Sequence, residues 1–153
     1  EQIGFSWQQI GIIFTIMLLP FVIFEIPAGI LADRYLGEKE ILIAGFLIMA
    51  GATAAIFFLT SASVAVWAAV LFTTRVGASL VEAMQESYFF KIIDKQDIDI
   101  ISIFRNLSSL SWLAGSLAAV ALLIFLPLEY IFLILAAVLL YAVYPSAKLE
   151  DTK

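Results

Sequence analysis

Residues Gly29–Lys39, which read GILADRYLGEK, decide the fold of this 153-residue chain. Long, almost uninterrupted apolar segments lie on both sides of this stretch. A helix needs about 20 mostly apolar residues to cross a hydrocarbon core of roughly 30 Å. Because Asp33, Arg34 and a glycine interrupt the apolar pattern for only a few residues, the stretch predicts a tight turn between two antiparallel membrane-spanning helices.

The composition supports a membrane protein. Hydrophobic residues make up 63% of the chain, whereas soluble domains contain about 45–50%, and a soluble chain of this size could not bury so much apolar surface. The net charge of −5 and the lack of a basic patch argue against nucleic-acid binding. Because the chain contains no Cys and no His, thiolate or imidazole metal sites and Ser–His nucleophiles are excluded within it. We expect no metal, no cofactor and no enzymatic activity.

Five segments are apolar and long enough to span a bilayer, at about 10–32, 40–59, 64–91, 98–126 and 130–144. The sequence therefore predicts an all-α, polytopic transmembrane bundle, with residues 1–153 forming a single domain. The odd number of spans and the first residue, Glu1, lead us to expect a fragment that at least one helix precedes.

Lysine and arginine predict the orientation, because they concentrate on the cytoplasmic side of membrane proteins. One side of the predicted bundle holds Arg34, Lys39, Lys91, Lys95, Arg105, Lys148 and Lys153, and the other side holds none. We therefore expect an integral protein of the plasma or inner membrane, with the N-terminus of this segment outside and its C-terminus in the cytoplasm.

Ionisable residues inside the predicted spans are candidates for function, because they are costly in lipid. Arg75, Glu82 and Glu86 share one face of the third helix, since steps of seven and four residues bring a helix back to nearly the same side. Either Arg75 and Glu82 form structural ion pairs with each other or with a neighbouring helix, or the face lines a path for a solute or a proton. Glu86 either reaches toward the membrane surface, pairs with Arg105 or belongs to that path. Glu25 in the first helix either lies on a packing face or contacts the solute.

The second, fourth and fifth helices carry packing predictions. Ser111, Gly115 and Ala119 recur every four residues on the fourth helix, a small-residue pattern typical of close helix packing. The second and fifth helices are nearly uncharged within their spans, which favours peripheral support.

The turn also carries a family resemblance. The run from Gly29 to Arg34, followed by Gly37 and Lys39, resembles the cytoplasmic signature loop of the major facilitator superfamily, Gly-x-Leu-Ala-Asp-Arg-x-Gly-Arg-Lys. This chain has one extra residue before Gly37, and Glu38 replaces the first basic residue. The resemblance implies a half repeat of a twelve-helix transporter, and the weakened signature favours its second half, helices eight to twelve.

Charges near this turn could form a cytoplasmic gate or latch. Asp33 lies at the C-terminal end of its helix, where the helix dipole disfavours a carboxylate unless a cation pairs with it. Arg34, Lys39, Lys91 and Arg105 are the candidate partners. The gate or latch residues that we predict are Gly29, Asp33, Arg34, Gly37, Lys39 and Arg105.

Together these features predict a secondary active transporter that moves a small solute by alternating access. Its expected partners are the lipid bilayer, the solute, a coupling proton or ion, and the remaining half of the transporter. The alternative is a non-transporting membrane scaffold or assembly subunit, in which the polar face of the third helix would be fully ion-paired and dry.

Overall fold

The computed structural model describes residues 4–93 and 98–150 and contains five helices, α1 (Trp7–Arg34), α2 (Glu38–Phe57), α3 (Val64–Ile92), α4 (Ile98–Phe125) and α5 (Leu128–Ser146). Each helix is long and apolar enough to cross a membrane, which confirms the predicted all-α fold with five spans. The observed ends differ from the predicted ones by at most three residues. Lys95 and Lys153, which contribute to the predicted orientation, lie outside the described residues.

Local interactions mark the points at which α1 and α2 begin. At the start of α1, the Ser6 hydroxyl accepts a hydrogen bond from the Gln9 backbone N–H at 3.3 Å, and the Ser6 N–H donates to Gln9 Oε1 at 2.8 Å. This reciprocal pair is a capping box. At the start of α2, Gly37 adopts a φ of 155°, which residues with a Cβ rarely adopt. The signature glycine therefore lets the chain reverse before α2.

The helices pack in the spatial order α1–α3–α2–α5. α2 packs along both α3 and α5, so the prediction that α2 is peripheral is wrong. Two glycines explain the close approach of α2 and α3: a Cβ added at Gly77 would lie 2.6 Å from the Gly45 carbonyl oxygen and 2.7 Å from the Met49 nitrogen. Because neither glycine carries a Cβ, the two backbones can touch. Such contact drives helix association in lipid better than apolar burial does.

The best-buried cluster lies at the end of the bundle where the first turn is located, which we call the signature end. It consists of Ala28, Ala32, Ile41, Leu42 and Met84, from α1, α2 and α3. Met84 is fully buried. This cluster fixes three helix ends relative to one another, so that charged residues carried by those ends come together.

α4 stands apart from this packed row. None of its most apolar 18-residue stretch is buried, and it contacts α5 at few residues. The small-residue face predicted to pack closely does not do so within the described chain: a Cβ added at Gly115 would meet no atom within 4 Å, and Ser111 is exposed. α4 meets α3 through the stacked rings of Phe89 and Phe104, whose centroids lie 3.8 Å apart.

Candidate functional site

Three helix ends bring a cluster of charges together at the signature end. Lys91, in the last turn of α3, donates a hydrogen bond to Asp33 Oδ1 at 2.8 Å and a second one to Glu38 Oε1. The Ser87 hydroxyl also donates to Glu38 Oε1, at 3.3 Å. We call Asp33, Glu38, Ser87 and Lys91 the signature-end cluster.

Helix dipoles account for much of this arrangement. Glu38 is the first residue of α2 and Lys91 lies in the last turn of α3, and both positions suit the sign of the charge. Asp33 lies in the last turn of α1, where the dipole is unfavourable, and Lys91 compensates for it. Glu38 is only 2% exposed, whereas the side chain of Asp33 is 62% exposed. The lysine therefore joins one buried carboxylate and one accessible carboxylate.

The structure shows which of the candidate partners from the sequence pairs with Asp33. Lys91 pairs with Asp33, and Arg105 lies instead on α4, in a separate cleft. Arg34 is exposed, Gly29 and Lys39 are half-buried, and Gly37 is buried. Sequence reasoning missed the role of Glu38, which stood out only as a departure from the signature. Its position at a helix N-terminus directly after a glycine was the available signal.

A cleft of about 520 Å³ separates α3 from α4. α2 contributes Met49 to its lining. Its polar lining consists of Glu82, Gln85 and Glu86 from α3 and Arg105, Ser108 and Ser111 from α4, with Phe104 and Trp112 as aromatic neighbours. The structure thus brings Glu82, Glu86 and Arg105 to one cleft.

Charges of opposite sign remain apart in this cleft. No Cα atom of α3 comes within 8 Å of a Cα atom of α4 among the described residues of the two helices. Within ranges 4–93 and 98–150, Arg105 forms no ion pair with Glu86 or Glu82. Counted from the helix ends at about 1.5 Å per residue, Glu86 and Arg105 lie at similar depths, about 9–10 Å, and Glu82 at about 15 Å. Although the two depths match, the pairing of Glu86 with Arg105, one of the alternatives for Glu86, is not formed among the described residues.

The other two candidates inside the spans lie elsewhere. Arg75 is half-buried on α3 and does not line the cleft, and in the described chain it has no carboxylate partner. The structural ion pair between Arg75 and Glu82 is therefore absent. Glu25 is exposed on α1, likewise outside the cleft.

Comparison with known proteins agrees with the turn and the helices. A family model described as Major Facilitator Superfamily matches residues 1–149. The chain belongs to the major facilitator superfamily. No curated protein and no solved structure matches it.

Membership of this superfamily indicates the class of protein that carries the signature-end cluster and the cleft. Its members are membrane transporters, so this chain belongs to an integral membrane transport protein. The stretch Gly29–Lys39 lies in the matched region, and its Asp33 contributes to the signature-end cluster. The superfamily match names no solute.

Proposed function

We propose that this chain is part of a secondary active transporter that moves a small solute by alternating access, and that the cleft between α3 and α4 lies on the solute path. One observation carries the proposal: Glu82, Glu86 and Arg105 line a single cleft and form no ion pairs with one another. Ionisable groups inside membrane spans are costly unless they serve a partner or a wet cavity. A cleft of about 520 Å³ has the size of a small-molecule site.

The signature-end cluster supports a conformational role. Lys91 joins the ends of α1, α2 and α3, so these three helices would move as one body when the transporter changes state. Rigid-body rocking of such bundles is the motion expected for alternating access. In our proposal, the exposed Arg34 and the accessible side of Asp33 face the remaining half of the transporter and form the cytoplasmic latch with it, while Glu82 or Glu86 carries a coupling proton.

A scaffold or assembly subunit is the competing function. It predicts a polar face that is ion-paired and dry, whereas the described chain leaves Arg75, Glu82 and Glu86 without ion partners and opens a cleft beside two of them. This difference favours transport.

Uptake by proteoliposomes containing the full-length protein tests the proposal. Separate mixtures of labelled sugars, amino acids, organic cations and organic acids are offered under proton and sodium gradients. We expect uptake of one mixture, with a pH dependence that Glu82→Gln removes. Glu129→Gln, which removes an exposed carboxylate at the start of α5 that does not line the cleft, is the matched control and should behave as the wild type.

Two results would count against the proposal. A full-length protein that moves no solute under any gradient is not a transporter of these solutes. If Glu82→Gln retains the pH dependence of the wild type, Glu82 has a structural role and the proton assignment is wrong.

A further inference from the structure

The two walls of the cleft carry opposite charges. On α3, Glu82 and Glu86 lie four residues apart on one face, which separates them by about 6 Å along the helix. On α4, Arg105 lies at nearly the depth of Glu86, and Ser108 and Ser111 continue its face farther along the span, away from the signature end. Among the described residues, the Arg105 guanidinium forms no ion pair with either carboxylate, so the opposite charges of the two walls remain separate.

This separation restricts the charge of a solute that fits between the walls. A simple cation would neutralise a carboxylate and leave Arg105 unpaired, whereas a simple anion would do the reverse. An uncharged solute would displace water and leave both walls without compensation, at a large cost inside a membrane. A solute that carries a cationic and an anionic group neutralises both walls at once.

The remaining lining suits the same class of solute. Ser111 donates its hydroxyl proton to the Leu107 carbonyl oxygen at 2.8 Å, so it presents its lone pairs as an acceptor for an ammonium group. Trp112 adds an aromatic ring to the lining, and such rings attract cations and pack against apolar side chains. Phe104 adds apolar surface beside Arg105.

We propose that the solute is a small zwitterion of the α-amino-acid type, with its ammonium group toward Glu82 and Glu86 and its carboxylate toward Arg105. This inference rests on the proposed transport function and names the solute class for the same cleft. Because two carboxylates face one guanidinium, the cleft favours an additional positive charge. The expected order of uptake is lysine, then leucine, then glutamate.

The test uses the full-length protein in proteoliposomes with separately labelled lysine, leucine and glutamate. Competitors are the free amino acids, their methyl esters, which lack the carboxylate, and their N-acetyl derivatives, which lack the ammonium group. Wild-type uptake should be inhibited at least about tenfold more strongly by the free amino acid than by either derivative, since a lost charged hydrogen bond changes affinity by that order.

Two variants assign the two ends of the solute. In Arg105→Gln, the methyl ester should compete as well as the free amino acid, and in Glu86→Gln the N-acetyl derivative should approach the free amino acid. Such a change in selectivity would not follow from partial unfolding. Lys148→Gln and Glu129→Gln remove the same charges outside the cleft and should keep the wild-type ranking.

The outcomes separate this inference from the transport proposal. Uptake of sugars, organic cations or organic acids without amino acids overturns the zwitterion inference and leaves transport intact. No uptake of any solute overturns both. Amino-acid uptake with unchanged selectivity in Arg105→Gln and Glu86→Gln shows that a zwitterion binds elsewhere, which also refutes the inference.

Discussion

The crossing of α2 and α3 at Gly45 and Gly77 gives the sharpest test of the fold. In Gly77→Ala, the new Cβ would lie 2.6 Å from the Gly45 carbonyl oxygen, about 0.8 Å inside the 3.4 Å at which ordinary van der Waals contact begins. The neighbouring atoms include the Met49 nitrogen at 2.7 Å and the Met49 Cβ at 2.9 Å. Backbone atoms cannot rotate away, so the two helices must separate.

Gly115→Ala is the matched control, because its Cβ would meet nothing within 4 Å. Both substitutions gain roughly 1 kcal/mol of helix propensity, which cancels when the two variants are compared. The difference that remains is the cost of overpacking, typically about 1–3 kcal/mol. We expect Gly77→Ala to be less stable than Gly115→Ala by this amount.

The measurement is unfolding of the purified full-length protein by SDS titration in mixed micelles, followed by circular dichroism. Gly77→Ala should also reduce transport, because Met49 and Ala78 at this crossing line the cleft. Equal stability of the two variants would refute the close crossing of α2 and α3 and, with it, the spatial order of the bundle.

Three further predictions concern the charge cluster and the cleft. Lys91→Met leaves Asp33 and Glu38 without their shared lysine and should lower the free energy of unfolding by about 1–3 kcal/mol; Lys148→Met, on the exposed C-terminal segment, should change it little, and equal losses would contradict the cluster. A cysteine introduced at Ser108, in a chain that contains none, should react with a membrane-impermeant thiol reagent faster than a cysteine introduced at Val138. Val138 is exposed on α5, and we expect it to face lipid. Equal reaction rates would contradict a wet cleft. Phe89→Ala removes the ring stacked on α4 and should raise the labelling rate at Ser108→Cys, and an unchanged rate would show that the stacked pair does not restrict access to the cleft.

The sequence predicted the helices well because the bilayer imposes a simple rule. A span of about 20 apolar residues is a local property, and the charged turn at Gly29–Lys39 marks where one span ends. The sequence also placed Lys91 among the possible partners of Asp33. Selecting it required the packing of three helix ends, which no local pattern contains.

The errors arose where lipid and protein offer the same environment to an apolar helix. α2 and α4 are both strongly apolar, yet α2 packs in the middle of the bundle and α4 is almost entirely exposed. Small residues occur in both, at Gly45 and at Gly115, and only the former meets another backbone. A small-residue pattern shows that a helix can approach closely, but it does not show which helix it approaches.

Glu38 departs from the family signature, and its negative charge suits the groups around it. A basic residue at this position would stand next to Lys91 and would face the positive end of the α2 dipole. The carboxylate removes both conflicts, and Lys91 bonds to it while still compensating Asp33. The hydrogen bonds that Lys91 and Ser87 donate therefore join the ends of α1, α2 and α3 to one another.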